Sequence, residues 1–460
     1  MVEVRVCVLI FLGEIMIPND VKYIISTLEK HGYEAFVVGG AVRDYYLNKD
    51  VNDWDITTDA EPCIVEDLFE KTYAIGRSFG TVVVILNGSP YEVTTYRTES
   101  HYTDGRRPDK VLYSKNLKED LSRRDFTMNA MVMTKSGDFI DLYDGISSLD
   151  SRMIQCVGDP VKRFQEDYLR VYRYVRFNTQ LGFQRNDYLD DVIMGIPHNL
   201  NISFERIQFE LDKILLSDKP SDGIRHLKSL GLLSHILPGI EKTYDFDQHC
   251  KFHNLNVFDH LMVVLDSSER NIINRLAALL HDIGKPDTYE LSDGEGHFYK
   301  HHHRSHEMAE IILRRLKYSN NVVHTVLKLI HYHMTLVDTD NKKSVKKFIN
   351  KMGVEHLEDF IDLRRSDILG SKTNDDLSSI DKMRQAFIEV LNENHPMTIH
   401  DLDINGHDIM LLGFSGPEIG RIKHELLDHV LQHHDDNKKE ILIELVKTST
   451  HRKYQTSIED

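Results

Sequence analysis

Hydrophobic and polar positions change period once along this chain, and the change divides it. In the first third the patterns are mixed. Val21 to Lys30 repeats its apolar residues at helical spacing, with Asn19 or Asp20 placed to cap the helix. A short apolar run ending at Val37 and Val38 reads as a buried strand; Gly39 and Gly40 turn the chain, and a second helix opens at Ala41 with Arg43 in its first turn. Thr81 to Leu86 (TVVVIL), the Asn87-Gly88 turn and Tyr91 to Tyr96 (YEVTTY) predict a β-hairpin. Its alternation places Glu92, Thr94 and Tyr96 on one face. From Pro160 onward the period becomes helical and stays so. The expectation is an α+β head followed by all-α structure.

Length changes this picture by adding domains. At 460 residues the chain exceeds one core and suggests about three. The boundaries expected are an N-terminal extension over 1–15, a head over 16–155, a helical neck and body over 156–240, a helical domain over 241–400 and a helical tail over 401–460. Apolar content of 41% and charged content of 28% are ordinary for a globular protein. The four cysteines, Cys7, Cys63, Cys156 and Cys250, lack C-x-x-C spacing and fit a reducing, cytoplasmic setting. Val6 to Leu12 is too short to span a bilayer and lacks a cleavage pattern, so no membrane is expected. A net charge of −17 speaks against tight non-specific nucleic-acid binding but leaves room for a local basic groove.

Candidate chemistry concentrates in Val37 to Thr57, VVGGAVRDYYLNKDVNDWDIT. Gly39 and Gly40 let the backbone approach a polyanion, the helix N–H groups point at it, and Arg43 adds a guanidinium clamp. Asp53 and Asp55, two apart on an expected strand, project to the same face. Two hard carboxylates in one small space call for divalent cations, as in two-metal phosphoryl transfer. Glu92 is read either as a third carboxylate beside them or as a solvent-facing strand glutamate. Arg97 to Asp109 (RTESHYTDGRRPD) reads as a mobile loop over the site.

GGAVRD followed by DWD resembles the signature of the polymerase-beta-like nucleotidyltransferase superfamily, and in particular the class II CCA-adding enzymes and their bacterial poly(A) polymerase relatives. Leu121 to Met131, LSRRDFTMNAM, resembles the second signature of that family, which implies that Arg124 meets the incoming triphosphate; a local pair of Arg123 with Asp125 is the bland reading. Asp141 to Asp150, DLYDGISSLD, departs from the family by lacking a proline and one glycine, which puts a hinge role there in doubt. Phe204 to Leu216 matches the family's ERIxxEL segment and reads as a packing helix, with Glu205 and Arg206 structural.

The family's EDxxR motif is matched in full by Glu166 to Arg170. Asp167, Arg170, Arg173 and Arg176 follow at i, i+3 steps and are expected on one face of a continuous helix. Cytosine and adenine share an amino donor beside a ring-nitrogen acceptor, so an aspartate and an arginine fit both and oppose uracil and guanine. Asp167 and Arg170 are the expected pair, with Arg173 and Arg176 at the phosphates or buttressing it. The resemblance implies template-independent addition of C, C and A to the 3′ end of tRNA from CTP and ATP, with two magnesium ions on Asp53 and Asp55 and no stable protein partner. The alternatives are a poly(A) polymerase on the same scaffold, or a phosphohydrolase whose head only binds nucleotide or tRNA.

The second half is rich in histidine. His260, His281-Asp282, the run His301 to His303, then His331 and Asp367 follow an H…HD…H…D order in a helical segment that resembles the HD metal-dependent phosphohydrolases. That resemblance implies a divalent metal on His260, His281, Asp282, His301 and Asp367. Among His301, His302 and His303 the sequence does not choose, though Ser305 and Ala309 favour His301; Lys285 completes the LLHDIGKP phrase. Lys342, Lys343, Lys346, Lys347 and Lys351 form a basic stretch, read as a contact for tRNA phosphates or as a solvated helix face.

Overall fold

The computed structural model describes residues 5–7, 16–74, 80–100, 110–198, 202–249, 255–292, 294–371, 376–393 and 395–456. The chain forms two compact units, Met1–Leu237 and Pro238–Asp460.

The first unit is built on a mixed eight-stranded sheet, larger than the small sheet expected. Its strands are β1 (Arg5–Cys7), β2 (Ala35–Val38), β3 (Ile56–Thr58), β4 (Thr72–Tyr73), β5 (Thr81–Leu86), β6 (Ser89–Thr95), β9 (Met131–Met133) and β10 (Phe139–Asp141), while β7 (Arg97–Ser100) and β8 (Lys110–Tyr113) pair separately. The spatial order is β1-β10-β9-β2-β3-β6-β5-β4, antiparallel except for β3 beside β6. Part of the expected extension is thus an edge strand, with Arg5 opposite Asp141. The expected hairpin is β5 and β6, closed by Asn87 and Gly88 at φ 51° and 84°, the double positive φ that an Asn-Gly turn supplies. Tyr96 lies beyond β6 and is buried, so it does not share the face of Glu92. The first residues of the expected loop form β7, a strand rather than a loop, which pairs with β8 just beyond the loop's far end, and residues 101–109 lie outside the described residues.

Helix Asn19–Lys30 buries Val21, Ile24, Ile25 and Leu28. Neither Asn19 nor Asp20 caps it; Asp20 accepts from Asn87 Nδ2 at 2.8 Å and Tyr91 Oη at 3.2 Å, tying the helix to the hairpin. Within the departing segment, Asp141 accepts from the N–H groups of Tyr143, Gly145 and Ile146, and a Cβ on Gly145 would stand 2.5 Å from the Thr127 carbonyl oxygen. That turn is packed tight. Helices Pro160–Glu166, Leu169–Leu181, Asp187–Gly195, Phe204–Leu215 and Pro220–Ser229 follow.

The second unit is helical apart from a two-stranded ribbon, β11 (Tyr289–Ser292) with β12 (Glu295–Phe298), that an all-α expectation did not include. Helices Val257–Ser267, Ile272–Leu280, His301–Arg315, Asn320–Tyr332 and Leu357–Leu369 form its core. The basic stretch occupies helix Lys342–Met352, where Lys342 pairs with Glu393, Lys347 reaches Asp428 at 4.0 Å and Lys346 is buried against Glu393 and His395. No helix among the described residues is long and apolar enough to cross a membrane.

Candidate active site and a buried histidine cluster

A cleft of about 730 Å³ in the first unit gathers most of the residues singled out from the sequence. β2 ends at Val38, whose N–H donates to the Asp55 carbonyl at 2.9 Å, and Gly39, at φ 76°, starts helix Gly40–Tyr46. Only glycine adopts this φ without strain, and a Cβ there would meet Arg124 Nη1 at 3.2 Å. The glycine thereby lets Arg124 lie against the backbone turn.

Asp53 and Asp55 precede β3 rather than lying within it, and both line the cleft while Trp54 between them is buried. β3 pairs with β6 through Ile56 and Val93, so one residue back along each strand Glu92 neighbours Asp55. Burial and then Glu92 push the Asp55 carboxyl up to about 6, with Asp53 adding to the rise and Arg124 opposing it. Crowded carboxylates of this kind are what a divalent cation relieves.

Seven basic side chains, Arg43, Arg124, Arg170, Arg173, Arg176, Arg206 and Lys213, line the same cleft. That excess suits a polyphosphate. Arg43 makes a bidentate pair with Asp44 at 2.9 Å and donates to Asn129 Oδ1 at 2.9 Å. Arg123 pairs with Asp120 at 2.7 Å, not with Asp125. Asp125 instead accepts from Arg173 Nε at 2.7 Å; burial alone would raise its carboxyl, but Arg173, Asn129 and the Phe126 N–H bring it down to about 2. Arg176 lies 3.0 Å from the buried Glu210, and the guanidinium carbons of Arg43, Arg173 and Arg176 lie 5.0, 5.4 and 3.9 Å from the centre of the Phe177 ring.

The continuous helix expected through Asp167 is interrupted there. Helix Pro160–Glu166 stops, Asp167 takes an extended conformation at φ −146°, and helix Leu169–Leu181 begins after it. The physical cause is the aspartate itself, whose Oδ1 accepts from the Leu169 N–H at 3.1 Å and so competes with helical bonding. Asp167 Oδ2 receives Arg206 Nη2 at 2.6 Å, and Arg170 is held by Glu166 at 2.6 Å and by the Arg163 carbonyl at 2.8 Å. Asp167 and Arg170 therefore share the cleft without pairing to each other. Arg206, read from the sequence as structural, lines the cleft beside Asp167, and Lys213 and Asn129 join it as well. The signal available was the i+7 spacing of Arg206 and Lys213, which puts both on one face of helix Phe204–Leu215.

In the second unit, the ligand atoms of His260, His281, Asp282 and Asp367 lie within 4.8 Å of one another, as do those of Asp282, His301 and His333. Asp282 belongs to both groups. Each imidazole is oriented by its other nitrogen: Nδ1 of His260, His281, His301 and His333 lies 2.7 to 3.0 Å from the carbonyls of Gly370, Ala278, Phe298 and Ile330. This contact makes Nδ1 the protonated nitrogen and turns the Nε2 lone pairs inward. Nε2 of His260 and His281 stand 3.3 Å apart, as do those of His301 and His333. Nitrogens facing each other at that distance share either a proton or a metal cation. The buried Asp282 Oδ1 makes no hydrogen bond although His301 Nε2 is 3.2 Å away, and burial alone would lower His281, yet Asp282 and Asp367 raise it to about 10. The donor set fits divalent metal.

His333, not the His331 of the expected order, joins the cluster. Two residues apart on a helix project to nearly opposite sides, and His331 faces outward with His303 and His306. His301 enters because its helix packs onto the His281-Asp282 turn: Gly284 N–H donates to Ser305 Oγ at 3.0 Å, and a Cβ on Gly284 would sit 2.6 Å from the Ser305 nitrogen. Lys285 Nζ, buried, reaches Asp282 at 2.6 Å and Gln248 at 3.0 Å.

Comparison with known proteins places these features. Residues 35–155 match the family model described as the poly A polymerase head domain, 200–243 one described as "Probable RNA and SrmB-binding site of polymerase A", and 298–446 one for tRNA nucleotidyltransferase domain 2. The chain is 32% identical over 93% of its length to a CCA-adding enzyme of Staphylococcus haemolyticus, covering 97% of that relative. A Bacillus pumilus CCA-adding enzyme is 48% identical over 48% of this chain, a match that spans about half, 55%, of that relative's own length. A crystal structure of the Bacillus stearothermophilus CCA-adding enzyme in complex with CTP is similar with a TM-score of 0.72 and 27% identity, covering 95% of this chain and all of that one.

Proposed function

The chain belongs to the CCA-adding enzymes, and from that membership we propose that it adds C, C and A to the 3′ end of tRNA, using CTP and ATP. The observation that carries the reading is the single cleft that joins Asp53 and Asp55 to Arg124 and to Asp167, Arg170 and Arg206. In it the tRNA 3′-hydroxyl gives up its proton to solvent as its oxygen bonds to the α-phosphorus, the bond from that phosphorus to the bridging oxygen breaks, and pyrophosphate leaves. Asp53 and Asp55 would hold two magnesium ions, with Glu92 as a neighbouring carboxylate; that metal supplies charge that acidifies the hydroxyl and steadies the leaving pyrophosphate. Gly39, Gly40, Arg43 and Arg124 seat the triphosphate. Asp167 accepts from the exocyclic amino group of C or A, and Arg170 donates to the ring nitrogen. Arg206 and Glu166 hold that pair in register. Arg173 and Arg176, buttressed by Asp125 and Glu210, present charge to the phosphates. In this reading 16–155 is the catalytic head, 156–240 the neck and body, 241–400 an HD-type domain and 401–460 a tail, in a cytoplasmic setting.

The test offers the protein magnesium, a tRNA lacking its 3′ end and each nucleoside triphosphate, and reads product lengths. Two C additions followed by one A and a stop is the expected result; an unbounded A ladder would mean a poly(A) polymerase, and no extension would overturn the reading.

A second activity is favoured by the histidine cluster. We read the second unit as a metal-dependent phosphohydrolase, with His260, His281, Asp282 and Asp367 at one metal position and Asp282, His301 and His333 at another. Metal there would supply a hydroxide at neutral pH. Release of phosphate from a phosphomonoester or cyclic phosphodiester, with nickel, cobalt or manganese added, tests it.

A further inference from the structure

Beside the nucleotide cleft lies a second cavity of about 640 Å³, which shares Leu169, Arg173 and Arg206 with it and carries Phe209 on its other wall. Helix Phe204–Leu215 turns Ile207, Leu211, Ile214 and Leu215 into the core. Phe209 points the other way and is 54% exposed. An amphipathic helix ordinarily puts polar residues on such a face. One turn to either side stand Arg206 and Lys213, with the Lys213 ammonium 4.2 Å from the ring centre.

An exposed aromatic face flanked by cations is the composition of a single-strand nucleic-acid platform: a base stacks on the ring while the cations meet the backbone. Lys213 and Arg206 also line the cleft, so a base on Phe209 would sit one step from the nucleotide addressed by Asp167 and Arg170. We propose that Phe209 is a positioning residue that stacks the 3′-terminal base of the RNA acceptor, with Lys213 at its phosphates and Arg206 beside it on Asp167. The incoming nucleotide is the lesser fit, because its charge belongs with the cluster around Arg124 and its base with Asp167. The proposal rests on the reading of the chain as a tRNA-extending enzyme and names the side chain that seats the acceptor.

Full-length wild type, Phe209→Ala and Phe209→Trp are compared in two assays. In steady-state extension, Phe209→Ala is expected to raise the KM for tRNA about tenfold, the scale of one lost base stack, and to leave the KM for CTP within about twofold, while Phe209→Trp stays close to wild type. In a binding assay without nucleotide, a tRNA minihelix ending in 2-aminopurine is expected to be quenched by wild type and Phe209→Trp and not by Phe209→Ala. Unchanged tRNA KM and quenching in Phe209→Ala would overturn the proposal and leave the transfer reading standing, as would a rise confined to the KM for CTP. Quenching lost in Phe209→Ala from a wild type that extends nothing would support the stack and overturn the transfer reading. Absence of both extension and quenching in wild type would overturn both.

Discussion

The head cleft and the histidine cluster both gather carboxylates around places for cations, but they are organised differently. In the cleft, Asp53 is exposed and Asp55 half-buried, the donors are oxygens, and basic side chains line the same space. Two or three carboxylates would leave a bound magnesium ion short of its six ligands, with the rest to come from water and substrate. In the cluster, four imidazoles and two carboxylates converge, and backbone carbonyls set the orientation of each ring before any metal arrives. On the proposed reading, an open oxygen site would take its metal with the substrate, whereas a closed nitrogen-rich site would keep a resident metal.

The comparison breaks most decisively at the two cleft aspartates proposed as catalytic. Asp53→Ala is expected to lower CTP transfer by on the order of a thousandfold, read as radiolabel incorporated into tRNA, with the metal content of the second unit unchanged. A parallel loss of metal would mean that the two sites are not independent. Next in size is Asp282→Asn, which removes the carboxylate shared by both metal groups. Metal analysis of the purified protein should fall from as many as two ions per chain to less than one, with CTP transfer retained. Chelation sharpens the contrast: after treatment with EDTA, added magnesium should restore transfer at once without restoring the metal content of the cluster.

A smaller effect is expected where the cleft is proposed to read bases. Arg206→Ala frees Asp167 to rotate and should reduce the preference for CTP over UTP by about tenfold in kcat/KM, and Arg206→Lys should not restore it, since only the guanidinium presents a planar fork. The smallest concerns the charge pairs that wire the cleft. The Asp125 carboxyl is depressed to about 2 when folded. Its contribution is therefore fully present above the unfolded value near 4 and is lost as pH falls through the folded one, at most about 2 kcal/mol. The stability gap between wild type and Asp125→Asn, measured by thermal unfolding, should be constant from about pH 7 to 5 and shrink toward pH 2.5.

Local patterns carried much of this molecule. The strand, Gly39-Gly40 turn and helix, and the Asn87-Gly88 hairpin, were legible because each depends on neighbours in the chain, where alternation and positive φ leave a trace in residue choice. Asp53 and Asp55, expected on a strand, stand just before β3 instead, and both line the cleft. Asp167 was misplaced because helical spacing does not reveal when a side chain prefers its own backbone N–H to the helix. The choice of His333 over His331 needed the direction of a helix relative to its neighbours, and the part played by Arg206 needed the packing of helix Phe204–Leu215 beside Asp167.

By itself the sequence determined the residue types and local geometry of both sites: glycines for a close backbone approach, paired aspartates, and the His-Asp dyad at the end of a helix. Tertiary structure alone decided which distant groups converge. Asp282 meets His333 and Asp367 from 51 and 85 residues away, and the cleft unites Asp53 with Lys213. Convergence of that kind follows from how buried helix faces pack, a property of three-dimensional fit that no periodicity along one chain records.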